Sequence, residues 1–109
     1  MDNTGGIQME RTIKPKDVKH LKDAVIIDVR RESDFLAGPG KIKDALRRQP
    51  ETVDKWADAL PKDRDIVIYC TRGGSVSNSV RDSLAEKGIH ARYIEGGIEA
   101  WTKEEGAAK

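Results

Sequence analysis

The chain has 109 residues, with 20 basic against 19 acidic side chains and a formal net charge of +1. That is the length of one domain; it excludes an eight-unit βα barrel and a dinucleotide fold with its own substrate domain, while the balanced charge lacks the basic excess of a nucleic-acid binder. Apolar residues, at 37% against 36% charged, suffice for a core and exclude a disordered segment.

Residues 1–10 carry no periodicity and are expected to lead into a single domain over 11–105, with 106–109 as a tail. Thr12-Ile13 reads as a short first strand, and Pro15 suits the first turn of a helix through Leu21. Ala24 to Ile27 is a continuous apolar run ending in Asp28, the pattern of a strand buried on both faces. Gly38-Pro39-Gly40 breaks the chain. Val53, Trp56, Ala57 and Leu60 fall at helical spacing within Glu51–Leu60, and Pro61 follows as a stop. Ile66 to Cys70 is the second buried-strand run. Val76, Val80 and Leu84 then recur every four residues, and Gly88 closes that helix. Ala91 to Ile94 reads as a strand, Gly96-Gly97 as a turn, and Ile98 onward as a terminal helix. Strand and helix alternating in one small chain predict an α/β sandwich on a largely parallel sheet.

The chemistry concentrates between Ile66 and Gly88. Cys70 ends a predicted central strand, where open α/β sheets place their ligands. Thr71-Arg72-Gly73-Gly74 follows, and Ser75 can begin the next helix. Glycines let consecutive backbone N–H groups turn inward, and a helix N-terminus adds its partial positive charge. Such a loop stabilises a thiolate, the nucleophilic form of cysteine, and receives an anionic substrate. A lone cysteine taken by itself is more often a small buried hydrophobe; strand end, glycine loop and helix start together favour the nucleophile. One cysteine and two histidines exclude an internal disulfide and a four-ligand zinc site made from Cys and His alone.

The run Cys70-Thr71-Arg72-Gly73-Gly74-Ser75 resembles the six-residue active-site loop of rhodanese-like sulfurtransferases. Asp28-Val29-Arg30 with Asp34-Phe35 downstream is similar to that family's Asp-Val-Arg segment and acidic-aromatic pair. Gly96-Gly97-Ile98-Glu99-Ala100-Trp101 is similar to its Gly-Gly-x-x-x-Trp motif. The three stand in family order, and the resemblance covers residues 11–103. It implies a three-layer sandwich with about five strands and helices on both faces. It also implies transfer of a sulfane sulfur from thiosulfate or a similar donor to a thiol or cyanide acceptor through a Cys70 persulfide. No cofactor and no metal are implied. Cys70 would be the nucleophile, and Thr71, Arg72, Gly73, Gly74 and Ser75 would bind substrate, with Asp28, Arg30 and Trp101 in support. Two stretches depart from the family pattern. Ser75 stands where many members have arginine, and Gly40-Lys41-Ile42-Lys43-Asp44-Ala45 stands for Gly-His-Ile-x-Gly-Ala, which leaves the third strand unassigned.

Two rival readings accompany this one. A phosphatase or arsenate reductase on the same fold would need an arginine closing a longer loop, and the residue there is Val76, which cannot grip an oxyanion. A persulfide carrier or regulatory module would keep the fold without free-standing turnover. His20 and His90 read as surface residues, Arg30-Arg31 and Arg47-Arg48 as solvated or structurally paired, and Trp56 and Trp101 as core anchors. The expected partners are a small anionic sulfur donor and a thiol or protein acceptor, with no nucleic acid and no membrane. A cytoplasmic monomer is the expectation, because the first residues carry no basic-then-apolar leader and no apolar run exceeds five residues.

Overall fold

Alternation within the apolar runs decides which way each side chain faces, and with it the layers of the domain. The computed structural model describes residues 11–61, 63–72 and 74–107; the expected lead-in, Gly73 and the last two residues of the expected tail lie outside them. Five strands form one sheet: β1 (Thr12–Ile13), β2 (Val25–Asp28), β3 (Leu46–Arg47), β4 (Ile66–Tyr69) and β5 (Ala91–Ile94). Their order is β1-β5-β4-β2-β3, and every pairing is parallel. All four residues of β4 are buried. Ile66 and Ile68 enter one apolar cluster with Trp56, Leu60, Val80 and Leu84. Val67 and Tyr69 enter the other, with Val18, Ile94 and Ile98.

The helices follow from those faces. Helices α3 (Val53–Trp56) and α4 (Ser75–Glu86) cover the first cluster; α1 (Pro15–Val18) and α5 (Gly97–Ala107) cover the second. The result is the expected three-layer α/β sandwich. Gly88, at φ +79°, ends α4 as expected: the Ile89 amide donates to Leu84 O at 2.9 Å, a left-handed cap that glycine adopts at little cost.

Several boundaries differ from the expectation. Helix α1 stops at Val18 rather than Leu21. The helix expected over Glu51–Leu60 divides into a 3-10 turn (Pro50–Thr52), α3, and a second 3-10 turn (Ala57–Ala59). Val53 to Trp56 and Ala57 to Leu60 are three apart, a spacing that serves 3-10 and α geometry alike. The Trp56 indole N–H donates to Gln49 O at 2.8 Å and ties the ring to the start of the segment. Strand β2 extends through Asp28, and β4 ends at Tyr69, which releases Cys70 into the loop. One further helix, α2 (Glu32–Ala37), has no buried residue and hence no apolar stripe to announce it. Strand β3 is a two-residue edge.

Candidate active site

Parallel topology brings the loops after β2, β4 and β5 to one end of the sheet, and these three loops build the site. After β4, Cys70 is buried, 6% exposed, with the apolar cluster of the α4 face behind it. Helix α4 begins at Ser75 with Gly74 as its N-cap, and no side chain caps it. The amides of its first turn therefore have no acceptor within the helix and point toward the loop. Cys70, Thr71, Arg72, Gly74, Ser75 and Val76 line one side of an open cleft, and Arg31 and Asp34 line the other. The side chains around the thiol thus bring two guanidinium groups and one carboxylate. Thr71 Oγ1 is buried and has no hydrogen-bond partner among the described residues.

The loop is held from beneath by the chain after β5. The Ile98 amide donates to Cys70 O at 2.9 Å, and the Glu99 amide donates to Thr71 O at 3.2 Å. Gly97 permits that approach: it sits at φ +62°, and a Cβ there would lie 2.5 Å from Cys70 O and from the Thr71 carbonyl. The Gly-Gly-x-x-x-Trp stretch therefore acts as the seat of the Cys70 loop. Above it, Arg72 Nε pairs with Glu99 Oε2 at 3.1 Å, in an exposed position where such pairs contribute little.

Register carries the argument across to β2. Asp28 pairs with Tyr69 in the sheet, so both side chains face α5, while Val29 and Cys70 face α4. On the α5 side the polar groups close on one another. The Asp28 carboxylate accepts from Arg30 Nη2 at 2.6 Å, from Arg30 Nε at 3.1 Å and from the Tyr69 hydroxyl at 2.9 Å. That hydroxyl accepts from the Ile42 amide at 3.0 Å, and Arg30 Nη1 donates to Pro39 O at 2.7 Å. Arg30 and Asp28 are both buried, and their charges cancel within the network. Burial opposes the guanidinium charge, yet the hydrogen bond and charge of Asp28 outweigh it and hold the Arg30 pKa above its ordinary value. Burial first, then the Asp28 charge, pushes the Tyr69 phenol up, so it stays protonated and donates. Two guanidiniums lie close to the Phe35 ring, Arg30 at 4.9 Å and Arg47 at 4.8 Å from its centroid. Asp28 and Arg30 thus brace the ends of β2 and β4 without touching the cleft.

The remaining candidates fall as follows. Thr71, Arg72, Gly74 and Ser75 surround Cys70, whereas Gly73 lies outside the described residues. Gly74 has a negative φ of −98°, and a Cβ there would meet nothing within 4 Å. Trp101 packs with Leu21 and Ile26 against the α5-side cluster, its ring 5.6 Å below the Lys19 ammonium, and it does not line the cleft. His20 and His90 are exposed; partial burial, with the Arg81 and Arg92 charges, holds the His90 pKa below its ordinary value. Arg31, Asp34 and Val76 also line the cleft. From sequence, Arg31 reads as solvated or structurally paired, Asp34 as part of a family motif and Val76 as a helix residue, and none of them is assigned to the site. The usable signal was positional: Arg31 follows β2, the strand beside β4, with the parity that faces α4.

Three comparisons with known proteins bear on this arrangement. The family model described as "Rhodanese-like domain" matches residues 14–104. A protein described as a sulfurtransferase from Allochromatium vinosum is 32% identical over 83 residues, covering 75% of this chain and 75% of that protein. A tRNA 2-selenouridine synthase from Shewanella pealeana is 33% identical over 69 residues, which cover 63% of this chain but 18% of that protein. Among solved structures, a rhodanese-related protein of Thermoplasma volcanium superposes with a TM-score of 0.73 at 23% identity, over 86% of this chain and 92% of that one.

Proposed function

The chain belongs to the rhodanese-like domain family, and from that membership we propose a thiol-based sulfur relay centred on Cys70. The observation that carries it is the buried thiol lining a cleft between the first turn of α4, which no side chain caps among the described residues, and two guanidiniums. A thiosulfate dianion enters with its sulfonate toward Arg31, Arg72 and the helix amides. The Cys70 thiolate attacks the outer sulfur, a new S–S bond forms, the original S–S bond breaks, and sulfite leaves with its electron pair. The outer sulfur remains on Cys70 as a persulfide, stabilised by backbone N–H groups that need no reorganisation as charge moves. Thr71 Oγ1, without a hydrogen-bond partner among the described residues, supplies one more hydrogen bond to the sulfur. In the second displacement a thiol or cyanide attacks that outer sulfur and restores the thiolate.

Val76 gives the cleft an apolar wall where an oxyanion-gripping arginine would be required for phosphoryl chemistry. That supports sulfur as the transferred atom. The test is intact-protein mass spectrometry after brief thiosulfate treatment without reductant. The expected result is a gain of one sulfur, about 32 Da, that cyanide removes and that Cys70→Ser abolishes. A gain that survives in the serine variant would overturn the assignment of Cys70. No gain at all in the native protein would overturn the relay from thiosulfate.

A further inference from the structure

A second depression opens from the Cys70 cleft along the outer side of α4. The two share Arg31, Ser75 and Val76; the side cleft continues past Ser79, and Pro50 and Glu51 form its opposite wall. Its volume is about 290 Å³. Ser75 and Ser79 are one helical turn apart, so their hydroxyls lie on the same side of α4. Arg31 and Glu51 are exposed, and among the described residues neither side chain has an ion-pair or hydrogen-bond partner. Opposite charges therefore line one cleft without meeting each other. Such a slot suits a ligand that carries both signs, since each end finds a complementary group and neither protein charge needs to be stripped from a partner.

We propose that the side cleft holds the body of the sulfur acceptor, and that the acceptor is a small thiol bearing both a carboxylate and an ammonium group. Its carboxylate lies toward Arg31 and the Ser75 and Ser79 hydroxyls, its ammonium toward Glu51, and its thiol toward Cys70. The assignment rests on the sulfur relay above. The acceptor thiolate donates an electron pair to the outer sulfur of the Cys70 persulfide and forms the new S–S bond. The old S–S bond breaks, and its pair returns to Cys70 as thiolate. The outer sulfur takes up the proton that the acceptor thiol gave up and leaves as the persulfide of the acceptor, and no oxidant or reductant is consumed.

The test separates the two charges with three probes: cysteine, which has both; cysteamine, which lacks the carboxylate; and 3-mercaptopropionate, which lacks the ammonium. Protein loaded with thiosulfate and freed of excess donor is mixed with each, and loss of the persulfide is followed by mass. Taking the native-to-variant ratio for each thiol cancels its intrinsic nucleophilicity. Glu51→Gln is expected to slow cysteine and cysteamine about three- to tenfold more than 3-mercaptopropionate. Arg31→Gln is expected to slow cysteine and 3-mercaptopropionate by a similar margin relative to cysteamine. Variants that slow all three thiols alike would overturn the side-cleft assignment while leaving the relay intact. Failure of the native protein to load sulfur would instead show before any acceptor is added, and would remove the relay together with this assignment.

Discussion

Two adjacent arginines, Arg30 and Arg31, mark the two faces of the sheet at its reactive end, and the faces treat charge in opposite ways. On the α5 face, Arg30 is buried and bound to Asp28, beneath a Tyr69 hydroxyl that is itself satisfied. On the α4 face, Arg31 is exposed beside a buried thiol and a threonine hydroxyl that has no hydrogen-bond partner among the described residues. One face spends its polar groups on one another and becomes rigid. The other leaves them free for a ligand. The first is what positions the second, because Tyr69 and Cys70 are neighbours in the chain and point to opposite sides.

That contrast breaks most severely at Arg30. Arg30→Ala strands the Asp28 carboxylate without its cation, and the expected loss is about 3–5 kcal/mol of stability, read from denaturant unfolding. Gly97→Ala comes next. Its methyl group must both occupy φ +62° and displace the Cys70 and Thr71 carbonyls. A stability loss of about 2 kcal/mol is expected, and the displaced loop lowers sulfur transfer about a hundredfold even where the protein stays folded. On the open face the effects shrink. Arg72→Ala removes an exposed guanidinium already shared with Glu99; it is expected to raise the thiosulfate KM about two- to fivefold with little change in kcat. The smallest is Gly74→Ala, whose methyl group meets nothing within 4 Å, so stability should stay within about 0.5 kcal/mol of native. A large loss at Gly74, or none at Gly97, would show that the loop is held from its rim rather than from its seat.

The central strands and the position of the Cys70 loop were legible because burial on both faces writes a continuous apolar run. Ile66 to Tyr69 is such a run, and a glycine-rich loop after it has few other uses. Elements that bury little were silent. Helix α2 has no buried residue, and β3 is a two-residue edge whose Leu46 is 40% exposed. Arg30 was legible as one of two alternatives, solvated or structurally paired, and the structure takes the second. Asp28, two residues earlier on the same face, is the partner. Arg31 and Asp34 join the cleft through strand order, and no local pattern carries the fact that β2 lies beside β4. The Trp101 motif position was clear, but its ring serves the α5-side core rather than the cleft.

The strand order has one further consequence, for the time course of folding. Strand β4 is central in space but fourth in the chain, so the sheet cannot close on β2 before more than half the domain has been made. Its parallel neighbours β2 and β5 are reached only through long crossovers, and such non-local pairings are slow to form. Cys70 acquires its cleft in the same event that completes the sheet, because its seat comes from residues after β5. Competence to transfer sulfur and global folding should therefore appear together and be lost together. Along a denaturant series, persulfide loading and the fluorescence of the buried Trp56 would trace one transition.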